Sequence, residues 1–355
     1  MRRGWFLVPH FFRSEKIPVT KVSVLIAARN EAEKIHLTIE DLIAQDYPKE
    51  LMEIIIVDDH STDHTSSIIG SYASKGVKLI VLNEKEPLNS YKKKAISEAI
   101  NFSSGELIVA TDADCRMGKL WLKTVVNYYE QNNSNLISSP VSYYEEKSWF
   151  EKAQTLDFLA LIGFGAAGIG NKMPSTCNGA NIAYKKQVFF DLGGFKDIDD
   201  LASGDDELFL HKVASAYPGT IGFCKSNDAI VYTHGKPNLK EFLQQRKRWA
   251  SKSVKYKDKN IKTVAIFLWL FNLSLIVNLI LGLIFSATLL KLVCIQFVIK
   301  FIVELFYLIP LTKFINRKSL IYYLTFLSFL YVIYLVYIGI SGQSGKYYWK
   351  GRMVK

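Results

Sequence analysis

The pattern of apolar and polar positions changes character near residue 263. Upstream, short apolar runs rich in β-branched residues, Val22–Ala27, Ile54–Val57, Val77–Leu82 and Leu107–Ala110, alternate with amphipathic stretches at Glu31–Ala44 and Lys92–Ile100. Unbroken apolar runs predict strands buried on both faces. Their alternation with helical segments predicts an α/β domain with a parallel sheet between helical layers. Downstream the runs are far longer. No charged residue occurs from Val264 to Leu290, enough to cross a hydrocarbon core of about 30 Å with some tilt. Leu292–Leu311 is uncharged except for Lys300 and Glu304, which are spaced to pair on one helix face, and Leu320–Ile340 is again uncharged. The first and last runs predict spans; the middle run makes the count two or three.

These shifts divide the chain into an N-terminal interfacial segment (1–20), an α/β domain (21–250), a basic juxtamembrane linker (251–262), transmembrane helices (263–341) and a basic C-terminal tail (342–355). Met1–Val8 is too short an apolar stretch before Pro9 for a signal peptide and reads as an interfacial foot, which leaves the large domain in the cytoplasm. The net charge of +11 raises nucleic-acid binding as a possibility, but its distribution argues against it. Lys252, Lys255, Lys257, Lys259 and Lys262 crowd the linker, as expected of a cytoplasmic flank that also attracts anionic headgroups. Lys313, Arg317 and Lys318 follow the second run, and Lys346, Lys350, Arg352 and Lys355 follow the third. Both loops favour the cytoplasm, and three complete spans cannot put both there. Either the Lys300 run lies in the interface or the last run is re-entrant. Cys115, Cys177, Cys224 and Cys294 are widely spaced and indicate neither a disulfide framework nor a zinc site.

In open α/β sheets ligands bind beyond the carboxyl ends of the strands, and acidic residues cluster there. Asp58-Asp59 closes the second strand and Asp112-Ala113-Asp114 the fourth. Such pairs suit a sugar hydroxyl and a divalent cation, although Asx turns and helix caps use the same residues. No Gly-x-Gly-x-x-Gly follows the first strand, so a nicotinamide or flavin fingerprint is missing. Ser203-Gly204-Asp205-Asp206-Glu207 reads as a helix start or as the source of a general base. The small residues of Asn178-Gly179-Ala180-Asn181 let a sugar approach the backbone. Gln245, Arg248 and Trp249 share one helix face and offer an amide, a guanidinium and an indole to a phosphorylated ligand; a juxtamembrane helix with an interfacial Trp has the same pattern. Lys92-Lys93-Lys94 is a donor-side helix start or a solvated end. His234 is an additional metal ligand or an exposed loop histidine. Trp149–Phe164 is either core or a membrane-lying helix that feeds lipid acceptors.

Taken in order, Val22–Ala28 with Arg29-Asn30-Glu31, Val57-Asp58-Asp59, Asp112-Ala113-Asp114, Asn178–Asn181, Gly204-Asp205-Asp206 and Gln245-x-x-Arg248-Trp249 resemble a membrane-attached family 2 glycosyltransferase over residues 20–250. The resemblance implies a GT-A fold (a Rossmann-like nucleotide-diphospho-sugar transferase) followed by C-terminal transmembrane helices, Mg²⁺ or Mn²⁺ as cofactor, and inversion at the anomeric carbon. It implies a donor site of Ala28, Glu31, Asp58, Asp59, Lys93 and Asp112. Asp59 is the first choice for the nucleobase and Asp112 lies on the ribose side. Asp114 becomes the metal ligand and Asp206 the general base, with Asn181, Gln245, Arg248 and Trp249 toward diphosphate and acceptor. Tyr91 stands where relatives usually carry glycine, a departure at the donor loop. The expected partners are a nucleotide-diphosphate sugar (UDP-sugar favoured), a lipid or glycan acceptor and the membrane, with no nucleic acid. The expected reaction is transfer of one sugar to a lipid or lipid-linked acceptor at the cytoplasmic face of the cell membrane. A processive polysaccharide synthase and a non-catalytic sugar-nucleotide-binding scaffold are the alternatives.

Overall fold

A computed structural model of the chain describes residues 1–84, 88–201, 203–256, 259–342, 347–349 and 352–354. Lys257, Lys346, Lys350 and Lys355 of the basic flanks lie outside the described residues. The strands are β1 (Val22–Ala28), β2 (Met52–Asp58), β3 (Val77–Val81), β4 (Leu107–Asp112), β5 (Arg116–Met117), β6 (Leu136–Ser138), β7 (Val141–Tyr143), β8 (Ile182–Lys185), β9 (Ile221–Phe223) and β10 (Val231–Thr233), with a short terminal pair, β11 (Tyr347–Trp349) and β12 (Arg352–Val354). The helices are α1 (Arg2–Leu7), α2 (Ile35–Ile43), α3 (Thr65–Ser71), α4 (Tyr91–Phe102), α5 (Trp121–Asn132), α6 (Trp149–Gly170), α7 (Lys186–Asp191), α8 (Glu207–Ala216), α9 (Leu239–Ser251), α10 (Lys259–Phe285), α11 (Ala287–Phe314) and α12 (Leu324–Ser341).

The two-residue period of the strands builds two cores. Val22, Val24 and Ile26 of β1 and Ile54 and Ile56 of β2 pack on one face with Ile39 of α2 and Val125 of α5. Leu25, Ile55 and Val57 pack on the other with Ile96 of α4 and Phe209 of α8. Both faces are therefore apolar, as a strand between two helical layers requires.

The main sheet runs β3-β2-β1-β4-β8-β6-β9. β1 to β4 are mutually parallel where they pair, but β8 is antiparallel to both β4 and β6. The four strands read from the sequence are thus parallel as expected, and the reversal of β8, a strand not among them, has a topological reason. β6 runs toward the carboxyl edge, α6 and the loop after it stay near that edge, and β8 has to start there and run back. Thr111 Oγ1 donates to Ala180 O at 2.9 Å, which ties the Asn178–Asn181 turn to the end of β4. In register, Ala28 lies opposite Asp58 and Ala27 opposite Asp112, so the acidic strand ends share one edge. A second sheet, β5-β10-β7, adjoins it.

Among the described residues four helices are long and apolar enough to cross a membrane: Trp149–Gly170, Ile261–Phe285, Ala287–Phe314 and Lys318–Ser341. The first is mostly buried within protein, so core is the better of its two readings. Its small residues also receive α1: a Cβ on Gly170 would lie 2.1 Å from Gly4 O. Trp5 and Val8 of the N-terminal foot, Leu156 and Leu159 of α6, and Leu308, Leu311 and Phe314 of α11 form a third core.

α10 and α11 are joined by Ser286 alone and form a hairpin. Each is about 40 Å long at 1.5 Å per residue, more than a hydrocarbon core needs. Lys300 Nζ donates to Glu304 Oε1 at 2.6 Å, as the spacing predicts, and also to Ser328 O of α12 at 2.9 Å. α12 lies between this hairpin and the α/β domain. Tyr331 OH donates to Asp157 of α6, and Tyr334 packs on Phe242 of α9. Trp269 Nε1 of α10 donates to Val336 O at 3.3 Å. Phe326, Phe329, Ile333, Tyr337 and Ile340 form its exposed stripe. Leu320 and Leu324 anchor its beginning in the third core, and Gly342 at its end sits against Ala250. Both ends of the last apolar run therefore meet the α/β domain.

Candidate active site

The carboxyl ends of β1, β2 and β4 open on a cleft of about 500 Å³. The loops after β1 and β2 are knitted together, with Asn30 Oδ1 accepting from Thr62 N at 2.8 Å and Arg29 Nη1 donating to Asp59 O and His60 O, each at 2.8 Å. Ala28, Glu31, Asp59, Asp112 and Asp114 all line the cleft. Asp59 Oδ1 lies 3.0 Å from His60 Nδ1, and Tyr91, the residue that departs from the family pattern, packs edge-on against the same His60 ring.

Asp206 is the N-cap of α8. Its Oδ1 accepts from Glu207 N at 2.7 Å and its Oδ2 from Gly179 N at 2.9 Å, which links the acidic cluster to the Asn178–Asn181 turn. Lys252 Nζ lies 3.3 Å from Asp206 Oδ1 and 3.2 Å from Glu207 Oε2. Burial pushes the Asp206 carboxyl up, but Lys252, Lys92 and the two backbone N–H donors outweigh it and leave the pKa at about 2. Lys92 Nζ bridges Asp112 at 2.8 Å and Asp205 at 3.2 Å. Despite its burial, these two carboxylates hold its pKa well above the ordinary lysine value. All three acidic residues line the cleft but differ in partners: Asp205 pairs with Lys92, Asp206 with Lys252 and the N–H groups of Gly179 and Glu207, and the largely buried Glu207 with Thr176, Tyr256 and Lys252.

Gln245, Arg248 and Trp249 of α9 line the cleft together, as their helical spacing predicts. α9 is pinned from behind by Arg246. This buried guanidinium donates to Asp157 Oδ2 at 2.5 Å and stacks between Phe242 and Trp249, 4.8 and 4.2 Å from the ring centroids. The cleft also has apolar walls, from Leu161, Ile162 and Phe164 of α6 and from Tyr334, Leu335 and Ile338 of α12.

Three expected site residues do not reach the cleft. Lys93 is one position from Lys92 on a helix, so it points elsewhere. Its buried ammonium donates to Leu201 O at 2.7 Å and Ser203 O at 2.8 Å, and to Ile198 O, holding the backbone ahead of Asp205. Asp58 precedes Asp59 with the opposite orientation and accepts from Ser61 Oγ. Asn181 is buried, with its amide donating to Pro140 O and Ala229 O, both at 2.7 Å, and accepting from Trp121 Nε1 at 3.0 Å. Conversely, Lys92 was expected only within the Lys92-Lys93-Lys94 run, from which Lys93 was chosen, and no site role was expected of Lys252, Lys236 or the α12 wall. Lys252 stands in a lysine run that was legible as charge alone. The α12 contacts join positions far apart in sequence and leave no local signal.

Residues 23–193 match the Glycosyl transferase family 2 profile. Among similar curated proteins, a beta-monoglucosyldiacylglycerol synthase from Synechocystis sp. is 31% identical over 113 residues, which are 32% of this chain and 24% of that protein. The probable glycosyltransferase YdaM of Bacillus subtilis is 27% identical over 249 residues, 67% of this chain and 56% of that one. The chain thus spans less than two thirds of the length of these curated relatives. A mannosyltransferase from Pyrobaculum calidifontis, solved in complex with GDP-Man and Mn²⁺, superposes over 92% of this chain and 91% of its own with a TM-score of 0.55 and 16% identity, which establishes a shared fold.

Proposed function

We propose, from the premise that this chain carries a glycosyltransferase family 2 domain, that it transfers a single sugar from a nucleotide-diphosphate donor to a lipid or lipid-linked acceptor. A UDP-sugar is the favoured donor, and transfer occurs with inversion at the cytoplasmic face of the membrane. The observation that carries this reading is the mixed lining of the cleft. Its carboxylates and Arg248 suit a sugar nucleotide, and its walls from α6 and α12 suit an apolar chain. The Synechocystis relative is by name a synthase of a glucosylated diacylglycerol, which supports a lipid acceptor.

Asp206 serves as the base. Ionised at neutral pH, it receives the acceptor hydroxyl proton as that oxygen attacks the anomeric carbon. Gly179, held to Asp206 through its N–H, brings an unbranched backbone position to the reacting sugar. Arg248 offers a planar fork to the departing diphosphate and Trp249 a flat apolar face to the sugar or acceptor. The donor set suits a divalent cation. Asp114 faces the cleft with no hydrogen bond or ion pair among the described residues, and Asp112 lies two residues before it. Two carboxylates fit Mg²⁺ or Mn²⁺, which takes the rest of its shell from phosphate oxygens and water. When bound, the ion supplies charge neutralisation for the leaving diphosphate.

The last helix supports the proposed sidedness. Both ends of α12 meet the α/β domain, which supports a hairpin of two crossings, α10 and α11, with α12 lying at the cytoplasmic interface. Both basic loops then fall on the cytoplasmic side, and the charge conflict of three spans disappears. Two crossings supply no channel, which favours single transfer over processive secretion.

The test uses the full chain in lipid vesicles with a panel of labelled UDP- and GDP-sugars, Mn²⁺ and a lipid extract. Label is expected in chloroform-soluble product with one donor. Label confined to a water-soluble polymer, or no transfer with any donor, overturns the reading.

A further inference from the structure

The turn His234-Gly235-Lys236 after β10 belongs to none of the motifs above, yet His234 and Lys236 both line the cleft. The antiparallel register of β10 and β5 pairs Val231 with Met117 and Tyr232 with Arg116. Carried past the paired residues, that register brings His234 opposite Asp114. The turn leaving β10 is therefore held beside the carboxylate that suits the metal.

The backbone of Lys236 is fixed from both sides. Its N–H donates to Gln154 Oε1 at 2.9 Å, and Gln154 Nε2 donates to its carbonyl at 2.8 Å. Gln154 is a buried amide on α6. A buried glutamine that uses both ends of its amide on one residue fixes where that residue's side chain begins. The Lys236 ammonium itself has no hydrogen bond or ion pair among the described residues, and the same holds for the Arg248 guanidinium, its neighbour across the cleft. Burial depresses the Lys236 pKa. Asp114 and Glu241 oppose this, while Arg248 and Lys34 add to it. Two cations set near one another without a dedicated carboxylate are electrostatically poised for a doubly charged ligand.

We propose that Lys236, together with Arg248, grips the diphosphate of the nucleotide donor on the side facing Asp114 and stabilises it as leaving group. This rests on the reading of the cleft as a sugar-nucleotide site. It adds a specific claim: selectivity for a diphosphate over a monophosphate resides in a side chain positioned by Gln154.

The experiment compares full-length wild type, Lys236→Met and Lys236→Arg in detergent or nanodiscs with Mn²⁺. Affinities are measured for UDP and GDP, for the matching monophosphates, and for the nucleosides. Losing a charge-assisted hydrogen bond should weaken diphosphate binding by about tenfold or more in Lys236→Met. Monophosphate and nucleoside affinities should stay within about twofold, and Lys236→Arg should recover most of the loss. Equal diphosphate affinity in wild type and Lys236→Met overturns the inference while leaving the sugar-nucleotide site standing. Parallel loss of diphosphate, monophosphate and nucleoside also overturns it, since that pattern marks a structural lysine. A wild type that binds none of these nucleotides overturns the site itself.

Discussion

Lys252→Met should move the acid limb of the transfer reaction. In the wild type, Lys252 Nζ stands 3.3 Å from Asp206 Oδ1, and both side chains are largely shielded from solvent. At an effective dielectric of about 20 this attraction amounts to about 5 kcal/mol, a ceiling of more than three pKa units at about 1.4 kcal/mol per unit. Lys92 and the N–H groups of Gly179 and Glu207 remain in the variant, and water screens part of the change. We therefore expect Asp206 to rise by about two to three units from its value of about 2. The sign is fixed by the group: a carboxylate works as a base above its pKa, so activity is lost as pH falls through it. The wild-type rate of transfer should stay flat with respect to Asp206 down to about pH 4. The variant should lose half its kcat/KM between about pH 4 and 5. At neutral pH the variant should transfer at least as well, because the carboxylate becomes more basic. Methionine retains most of the volume, and Glu207 keeps Thr176 and Tyr256 as partners. The assay is initial transfer rate from pH 4 to 7 at saturating Mn²⁺, with donor affinity measured alongside. A variant profile that superimposes on the wild type at equal donor affinity refutes the coupling.

Four further outcomes are expected. Asp206→Asn should lower the transfer rate by about 10²-fold or more with donor binding intact, whereas Asp205→Asn should do much less; the reverse order would move the base to Asp205. Asp114→Asn should raise the Mn²⁺ concentration for half-maximal rate by about tenfold or more, since losing a ligand costs at least as much as losing an outer-sphere partner; an unchanged titration removes Asp114 from the metal. Lys93→Met strands the carbonyls of Ile198, Leu201 and Ser203 and should cost about 2–4 kcal/mol in thermal or denaturant unfolding; an unchanged midpoint would show that water replaces the ammonium freely. Asp157→Asn leaves the buried Arg246 guanidinium without its counter-charge and should cost about 3–5 kcal/mol, with α9 becoming sensitive to protease; wild-type resistance would mean that the ring stacking alone holds Arg246.

What the sequence made legible was what repeats with a local period. The strands carrying Val24, Ile55 and Val109 could be read because a doubly buried strand is apolar at every position. The face shared by Gln245, Arg248 and Trp249 could be read because helical spacing alone puts them together. Orientation between adjacent residues was not legible. Lys92 and Lys93, Asp58 and Asp59, and Ala180 and Asn181 are neighbours in sequence, yet in each pair one member lines the cleft and the other is bonded elsewhere. Backbone direction decides this, and a motif does not encode it. The course of α12 was equally hidden. Its apolar composition fits a span, and only its contacts with Asp157, Phe242 and Ala250 reveal a helix laid along the α/β domain.

The central claim, inverting transfer of one sugar from a nucleotide diphosphate to a lipid, is tested most directly by following the donor's anomeric carbon. The full chain in vesicles is given donor carrying ¹³C at that carbon, with Mn²⁺ and lipid acceptor, and the organic extract is read by NMR. The account predicts one labelled sugar per lipid, with the anomeric configuration opposite to that of the donor. Retained configuration, or label found only as free sugar or aqueous polymer, would contradict it.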